Sequence, residues 1–113
     1  MMKSKYPHTS KYIGSLGVDE QGSTLKRILQ KEGVVDLMHQ TQEYPTGLCA
    51  AIIHNKERSL IANLGAALHF PTAHMAKVAS HTAQAHVIYA TAFFLTSNAK
   101  ALLPLLRLAS QNH

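Results

Sequence analysis

The sequence has one cysteine, Cys49, no carboxylate after Glu57, and no apolar run that approaches the length of a membrane span. Each shortage excludes something. A single thiol rules out a disulfide within the chain, and with no carboxylate nearby it leaves little from which to build a zinc site. Crossing a bilayer takes roughly 18 to 20 apolar residues, so no membrane partner is expected. The opening "MMKSKYPHTSK" carries charge with no apolar stretch behind it, unlike a secretory signal. A reducing cytosol is the expected compartment, with the nucleus as the other one open to the chain. Because Asp and Glu are missing beyond residue 57, a carboxylate base or hard-metal ligand must come from the first half or from another chain.

Positive charge is also thinner than the net value of +5 implies. Residues 1–57 hold seven Lys/Arg against six Asp/Glu, while residues 58–113 hold only Arg58, Lys77, Lys100 and Arg107. Those four are scattered, with no aromatic residues interleaved to stack on bases, so no nucleic-acid partner is expected. What is present is apolar: 46% hydrophobic residues and 15% charged over 113 residues describe one globular domain's worth of chain.

The order of elements reads as α/β. "YIGSLGV" (12–18) has strand composition, "DEQG" reads as a turn, and "STLKRILQKE" reads as a helix capped by Ser23 or Thr24. Leu25, Ile28 and Leu29 recur on one face of it, and Gly33 stands where a helix stops. A strand "VVDLMH" follows, and strand, helix and strand at this spacing predict a βαβ unit. Residues 41–47 are polar and contain Pro45. After them "LCAAIIH" and "RSLIANL", joined around "NKER", predict an antiparallel hairpin. With His54 set opposite Ser59, Cys49, Ala51, Ile53, Leu60, Ala62 and Leu64 share one face with Arg58 at its rim, and both faces are largely apolar. Downstream, "TAHMAKVASH" predicts a helix, "HVIYATAFF" a buried strand, and "SNAKALLPLLRLAS" a helix capped by Ser97. Pro104 inside that last helix should kink it, split it or delay its start.

Candidate chemistry is sparse. His74 and His81 would lie about 10.5 Å apart along a helix axis, too far to share one ion, and His69 and His86 have no defined geometry, so no metal site is expected. Cys49, set among Ala and Ile in a strand, reads as a shielded and unreactive thiol. "GSLGVDEQG" has a phosphate cradle's glycines but no P-loop lysine, and Asp19 and Glu20 would repel an anion, which leaves a helix-capping turn. Arg58, a lone guanidinium beside an apolar face, can either be solvated or meet an arriving carboxylate or phosphoryl group.

"YIGSLGVDEQGSTLKRILQKEGV", "PTGLCAAIIHNKERSLIANLGAA" and "YATAFFLT" resemble consecutive segments of the adenosine kinases, within the ribokinase-like carbohydrate and nucleoside kinases. The resemblance runs from about Lys11 to the C-terminus, with a slightly shortened linker around residues 70–85. It implies an α/β fragment of a ribokinase-like fold over residues 11–113, with βαβ core elements and lid elements at about 34–64, preceded by a disordered or non-native N-terminus over residues 1–10. It further implies an adenosine pocket lined by Cys49, Leu60, Ala62 and Leu64, with Phe93 stacking on the purine and Arg58 reaching the transferred phosphate. ATP and Mg2+ are implied as cofactors, but the ribose-holding segment, the nucleotide site and the Gly-Ala-Gly-Asp motif with the general base have no counterpart in this sequence. Gln21 stands where an aromatic is usual, and Pro104 is unexpected. The resemblance therefore implies a fragment of an enzyme that makes AMP from adenosine in purine salvage, inactive by itself and prone to self-association through exposed lid strands. The alternatives are a non-catalytic interaction module and a pseudo-enzyme that binds adenosine without turnover.

Overall fold

The computed structural model describes residues 9–111, so the irregular stretch expected over residues 1–10 lies almost wholly outside the described residues. The chain falls into two compact units, divided in sequence between Ala67 and Leu68. Among the described residues no helix is long and apolar enough to cross a membrane.

The first unit opens with the strand–helix–strand arrangement. Each expected strand is broken in two: β1 (Lys11–Tyr12) and β2 (Ser15–Gly17) before the helix α1 (Glu20–Lys31), then β3 (Val35–Asp36) and β4 (His39–Thr41) after it. β1 pairs parallel with β3 and β2 with β4. Lys11 lies opposite Val35 and Ser15 opposite His39, so both pairs keep one offset and the break interrupts a single ladder. Backbone bonds still cross it, from the Leu37 N–H to the Tyr12 carbonyl and from the His39 N–H to the Gly14 carbonyl, while the intervening Met38 N–H donates to Oδ1 of Asp36 at 2.9 Å.

The helix starts earlier than its composition implied. Asp19 is the N-cap, not Ser23 or Thr24, and accepts the Gly22 N–H at 2.8 Å, so the expected "DEQG" turn becomes the cap and first helical turn. A carboxylate there both satisfies an orphan donor and faces the positive end of the helix dipole. The end is where glycine placed it: Gly33 has φ 70°, and the Val34 N–H reaches back to the Leu29 carbonyl. Leu29 and Leu16 of β2 are fully buried and form the centre of this unit, whereas Ile28 remains 41% exposed.

β5 (Leu48–His54) and β6 (Glu57–Asn63) form the antiparallel hairpin. Its register differs from expectation. His54 pairs with Glu57, not Ser59, and the chain reverses through Asn55 and Lys56, at φ 48° and 67°. Two successive positive φ values mark a type I′ turn, whose twist suits a hairpin and whose first position tolerates Asn. The register therefore moves by two residues, and because side chains alternate with period two, every residue keeps its face. Cys49 opposes Ala62, Ala51 opposes Leu60, and Ile53 opposes Arg58. All residues of both strands are exposed.

In the second unit the helix expected over 72–81 is α2 (Thr72–Ala83), packed on the C-terminal helix α4 (Ala99–Gln111). Met75 and Val78 of α2 bury against a stripe of Ala101, Leu102 and Leu105 on α4, and Phe70 meets the rings of His74 and Phe94 edge-on. "HVIYATAFF" is not a buried strand. Residues 86–91 have no regular structure, Val87 and Tyr89 are 85% and 87% exposed, and Ala92–Ser97 forms a short helix, α3. Strand composition becomes a strand only beside a hydrogen-bonding neighbour, and among the described residues none of the three two-stranded sheets supplies one. Ser97 does not cap α4 either. Its hydroxyl donates back to the Phe93 carbonyl at 2.7 Å, and the Asn98 carbonyl takes the leading position by accepting the Leu102 N–H. The Asn98 side chain is spent elsewhere, accepting the Phe70 N–H at 3.1 Å. Pro104 sits on the exposed side of a continuous α4, which neither splits nor starts late.

Two substitutions test this packing. Leu29→Ala should lower the unfolding free energy by about 2–5 kcal/mol, and Pro104→Ala, which restores a helical N–H, should raise it by up to about 3 kcal/mol. Urea midpoints followed by circular dichroism read both.

Candidate functional site

The hairpin leaves the first unit at Thr46, and almost every polar atom of that residue is committed. Its N–H donates to Oδ2 of Asp19 at 2.7 Å, its hydroxyl donates to Oδ1 of Asp19 at 2.5 Å, and its oxygen accepts the Gly17 N–H at 3.0 Å. Asp19 thus collects three donors, counting the Gly22 N–H of its own cap. The Thr46 hydroxyl first, then the two backbone N–H groups, hold its carboxyl below the usual carboxylate range. On the return side the Ala66 N–H donates to the Pro45 carbonyl at 2.7 Å. Gly65 stands at φ 44° with the place of a Cβ only 2.2 Å from the Pro45 oxygen, so only glycine fits there. These contacts close a ring around the root of the ribbon. Beside it an open groove of about 410 Å³ runs between α1 and the hairpin, lined by Gln21, Thr24, Leu25, Ile28, Gly47 and Leu48 among others.

Beyond the root, the ribbon gathers four of the six residues singled out in the sequence. Cys49, Leu60, Ala62 and Arg58 share one face, with Arg58 toward the turn. Arg58 makes no ion pair among the described residues. Leu64 is not opposite Cys49, as the expected register had it. It follows the last residue of β6 and is 39% exposed. Phe93, the second residue of α3, belongs to the second unit and is 40% exposed. Cys49 is exposed as well, so the shielding expected for its thiol is missing.

Other chemistry is limited. Among the described residues no group of three or more His, Cys, Asp or Glu side chains could hold a metal ion. The glycine-flanked helix start is no anion cradle, because Asp19 itself takes the Gly22 N–H that an anion would need. Asp19 and Thr46, which position the ribbon, were not singled out as site residues in the sequence. Their signals were present, an Asp three residues before a glycine at a helix start and a Thr between Pro45 and Gly47, but nothing in one dimension joins residues 27 positions apart.

A family model for the pfkB family carbohydrate kinases matches residues 4–113. The chain belongs to that family. Within it, the adenosine kinase of Dictyostelium discoideum is 35% identical over 99% of this chain and 33% of its own length. Two solved structures show the same relation. The apo adenosine kinase of Trypanosoma brucei brucei superposes with TM-score 0.81 at 33% identity, over 90% of this chain and 32% of that one. The Anopheles gambiae adenosine kinase in complex with P1,P4-di(adenosine-5) tetraphosphate superposes with TM-score 0.88 at 28% identity, over 95% and 32%. The chain is an α/β piece of the ribokinase-like fold and spans about a third of the length of the curated relatives it matches.

The depressed carboxyl of Asp19 gives a pH prediction. Its stabilising bonds are fully present above the ordinary aspartate range and are lost as pH falls through the lowered folded-state value. Asp19→Asn cannot titrate, so it should be less stable near pH 7 and show a shallower acid limb. Urea midpoints across a pH series compare the two, and parallel profiles would contradict the clasp.

Proposed function

We propose that this chain carries the adenosine-facing lid, at about residues 34–64, and neighbouring core elements of an ATP-dependent adenosine kinase, an enzyme that makes AMP in purine salvage. The observation that supports this reading most is the face of the ribbon that combines Cys49, Leu60 and Ala62 with the single cation Arg58. A nucleoside and a transferring phosphoryl group ask for that pairing, an apolar wall against which a purine is buried and a guanidinium that meets charge beside it. In this reading Leu64 and Phe93 complete the wall when the rest of the fold is present, Phe93 by stacking.

The reading assigns this chain no catalysis by itself. Phosphoryl transfer depends on positioning, on a base for the acceptor hydroxyl and on donors for the developing charge. The glycine-flanked helix start does not favour a nucleotide phosphate, because Asp19 already takes its Gly22 N–H. We assign ATP and Mg2+ to parts of the fold outside this chain. Incubated with adenosine, ATP and Mg2+, the chain should form no AMP, and calorimetry should show no micromolar adenosine binding. Tight binding without turnover would instead favour a nucleoside-binding pseudo-enzyme.

Arg58 supplies the decisive test. With residues 9–111 replacing the matched stretch of the Dictyostelium kinase, Arg58→Ala should lower phosphoryl transfer by about 10²–10³-fold while changing adenosine affinity much less. Equal losses in both would remove the assigned role. A second reading, a non-catalytic interaction module, is favoured by the full exposure of β5 and β6. Size-exclusion chromatography addresses it, because a ribbon left bare should drive concentration-dependent association.

A further inference from the structure

Arg58 stands far from the root that aims it. It pairs with Ile53, seven residues along the chain from Thr46, whereas Cys49, opposite Ala62, stands three residues along. At about 3.4 Å per residue these separations are roughly 24 Å and 10 Å. A tilt of about 5° at the root therefore carries Arg58 through about 2 Å and Cys49 through less than about 1 Å.

The ribbon tilts as one body. A Cβ at Gly47 would lie 2.7 Å from the Leu64 oxygen, and the Pro45 carbonyl accepts the Ala66 N–H at 2.7 Å, so the two legs are held together below the ladder. Its angle on the βαβ elements is held at Thr46. The Thr46 hydroxyl oxygen takes the Gly17 N–H of β2, and its hydroxyl and N–H reach the two oxygens of Asp19, which caps α1. Directional bonds to two elements from one residue restrain rotations that a single bond would leave free.

The two ends of the face differ in what they tolerate. Apolar burial is non-directional, whereas a guanidinium that meets a phosphoryl group needs aligned donors, and a misplacement of about 1 Å can cost about 10²-fold in rate. Looseness at the root is thus felt at the charge and hardly at the purine wall.

We propose that Asp19 and Thr46 are positioning residues for phosphoryl transfer, acting through Arg58: their clasp fixes the direction of the ribbon and so the place at which the guanidinium meets the phosphoryl group. This rests on the kinase reading above and adds to it two residues at the opposite end of the ribbon from the charge.

The test uses the Dictyostelium kinase carrying residues 9–111 in place of its matched stretch, with kcat counted per adenosine site titrated by calorimetry so that misfolded protein does not enter. Thr46→Val keeps the shape and removes the hydroxyl. It should lower kcat by about 10–10²-fold while moving adenosine affinity by less than about threefold, and Thr46→Ser, which restores the hydroxyl, should recover most of the rate. Asp19→Asn is the second variant. Its oxygen keeps the Gly22 N–H and the helix cap, but its amide nitrogen faces the Thr46 N–H, donor against donor, and it should show the same split. In the Arg58→Ala background, Thr46→Val should lower kcat by less than about twofold further, because the group that the clasp places is gone. Losses that multiply between Thr46→Val and Arg58→Ala, or equal losses in kcat and affinity, would overturn the positioning role and leave the kinase reading standing, whereas a splice that forms no AMP would overturn both. In the chain itself, N–H residual dipolar couplings report the alignment of the ribbon against α1. Thr46→Val should reduce those of Cys49–Ile53 by about half with those of Leu25–Leu29 unchanged, and unaltered ribbon couplings would also overturn the proposal.

Discussion

The Asp19 carboxylate accepts at once from the Gly22 N–H, the Thr46 N–H and the Thr46 hydroxyl, and the arrangement of the first unit follows from it. One group caps α1 and also holds the residue from which the hairpin departs. Gly17 and Gly22 have no Cβ because there is no room for one: it would lie 2.6 Å from the Thr46 nitrogen at Gly17 and 2.3 Å from the Gly17 oxygen at Gly22. The backbone approach that makes the three bonds possible therefore depends on two glycines, and the bonds in turn aim β5 away from the βαβ core. A short polar side chain in each role is what lets the approach be this close.

From that root the ribbon projects as an arm whose stability comes from its own ladder and its type I′ turn, since β5 and β6 contact one another far more than any other element. Its surface chemistry is unusual for something so exposed. One face is apolar apart from the terminal guanidinium of Arg58, and the β5 strand carries no charged residue at all. Such a surface is costly in water and useful against a flat apolar ligand or against more protein. The kinase reading gives the first use to the Arg58 face and the second to the rest. The absence of carboxylates after Glu57 fits the same division, because the groups that would move a proton or hold a metal are assigned elsewhere in the fold.

Much of this was legible in the residues. The amphipathic pattern of Leu25 and Leu29, the stop at Gly33, a helix over 72–81 and the hairpin all came from local composition, periodicity and turn chemistry, which act over a few residues. The face shared by Cys49, Leu60 and Ala62 was legible too, because alternation survives an even shift in register. What misled was competition between local signals. Ser23 and Thr24 are good caps, but Asp19 is better placed, and Ser97 has a cap's composition although its hydroxyl bonds backward to Phe93. Residues 86–91 show the other failure, since apolar β-branched composition reports a willingness to be a strand and says nothing about whether a neighbour is present.

The sequence by itself determined the strand–helix–strand order of the first unit, the hairpin, the helices beyond it, the parity of the ribbon's faces and, through three motif segments, the resemblance to adenosine kinases, because each is written in spacings of a few residues or in contiguous runs. Only the tertiary structure decided that Asp19 clasps Thr46 and that both strands of the ribbon remain exposed. Those outcomes depend on which donors and strands come together across tens of residues, and hydrogen bonds made at that separation leave no periodic trace in one dimension.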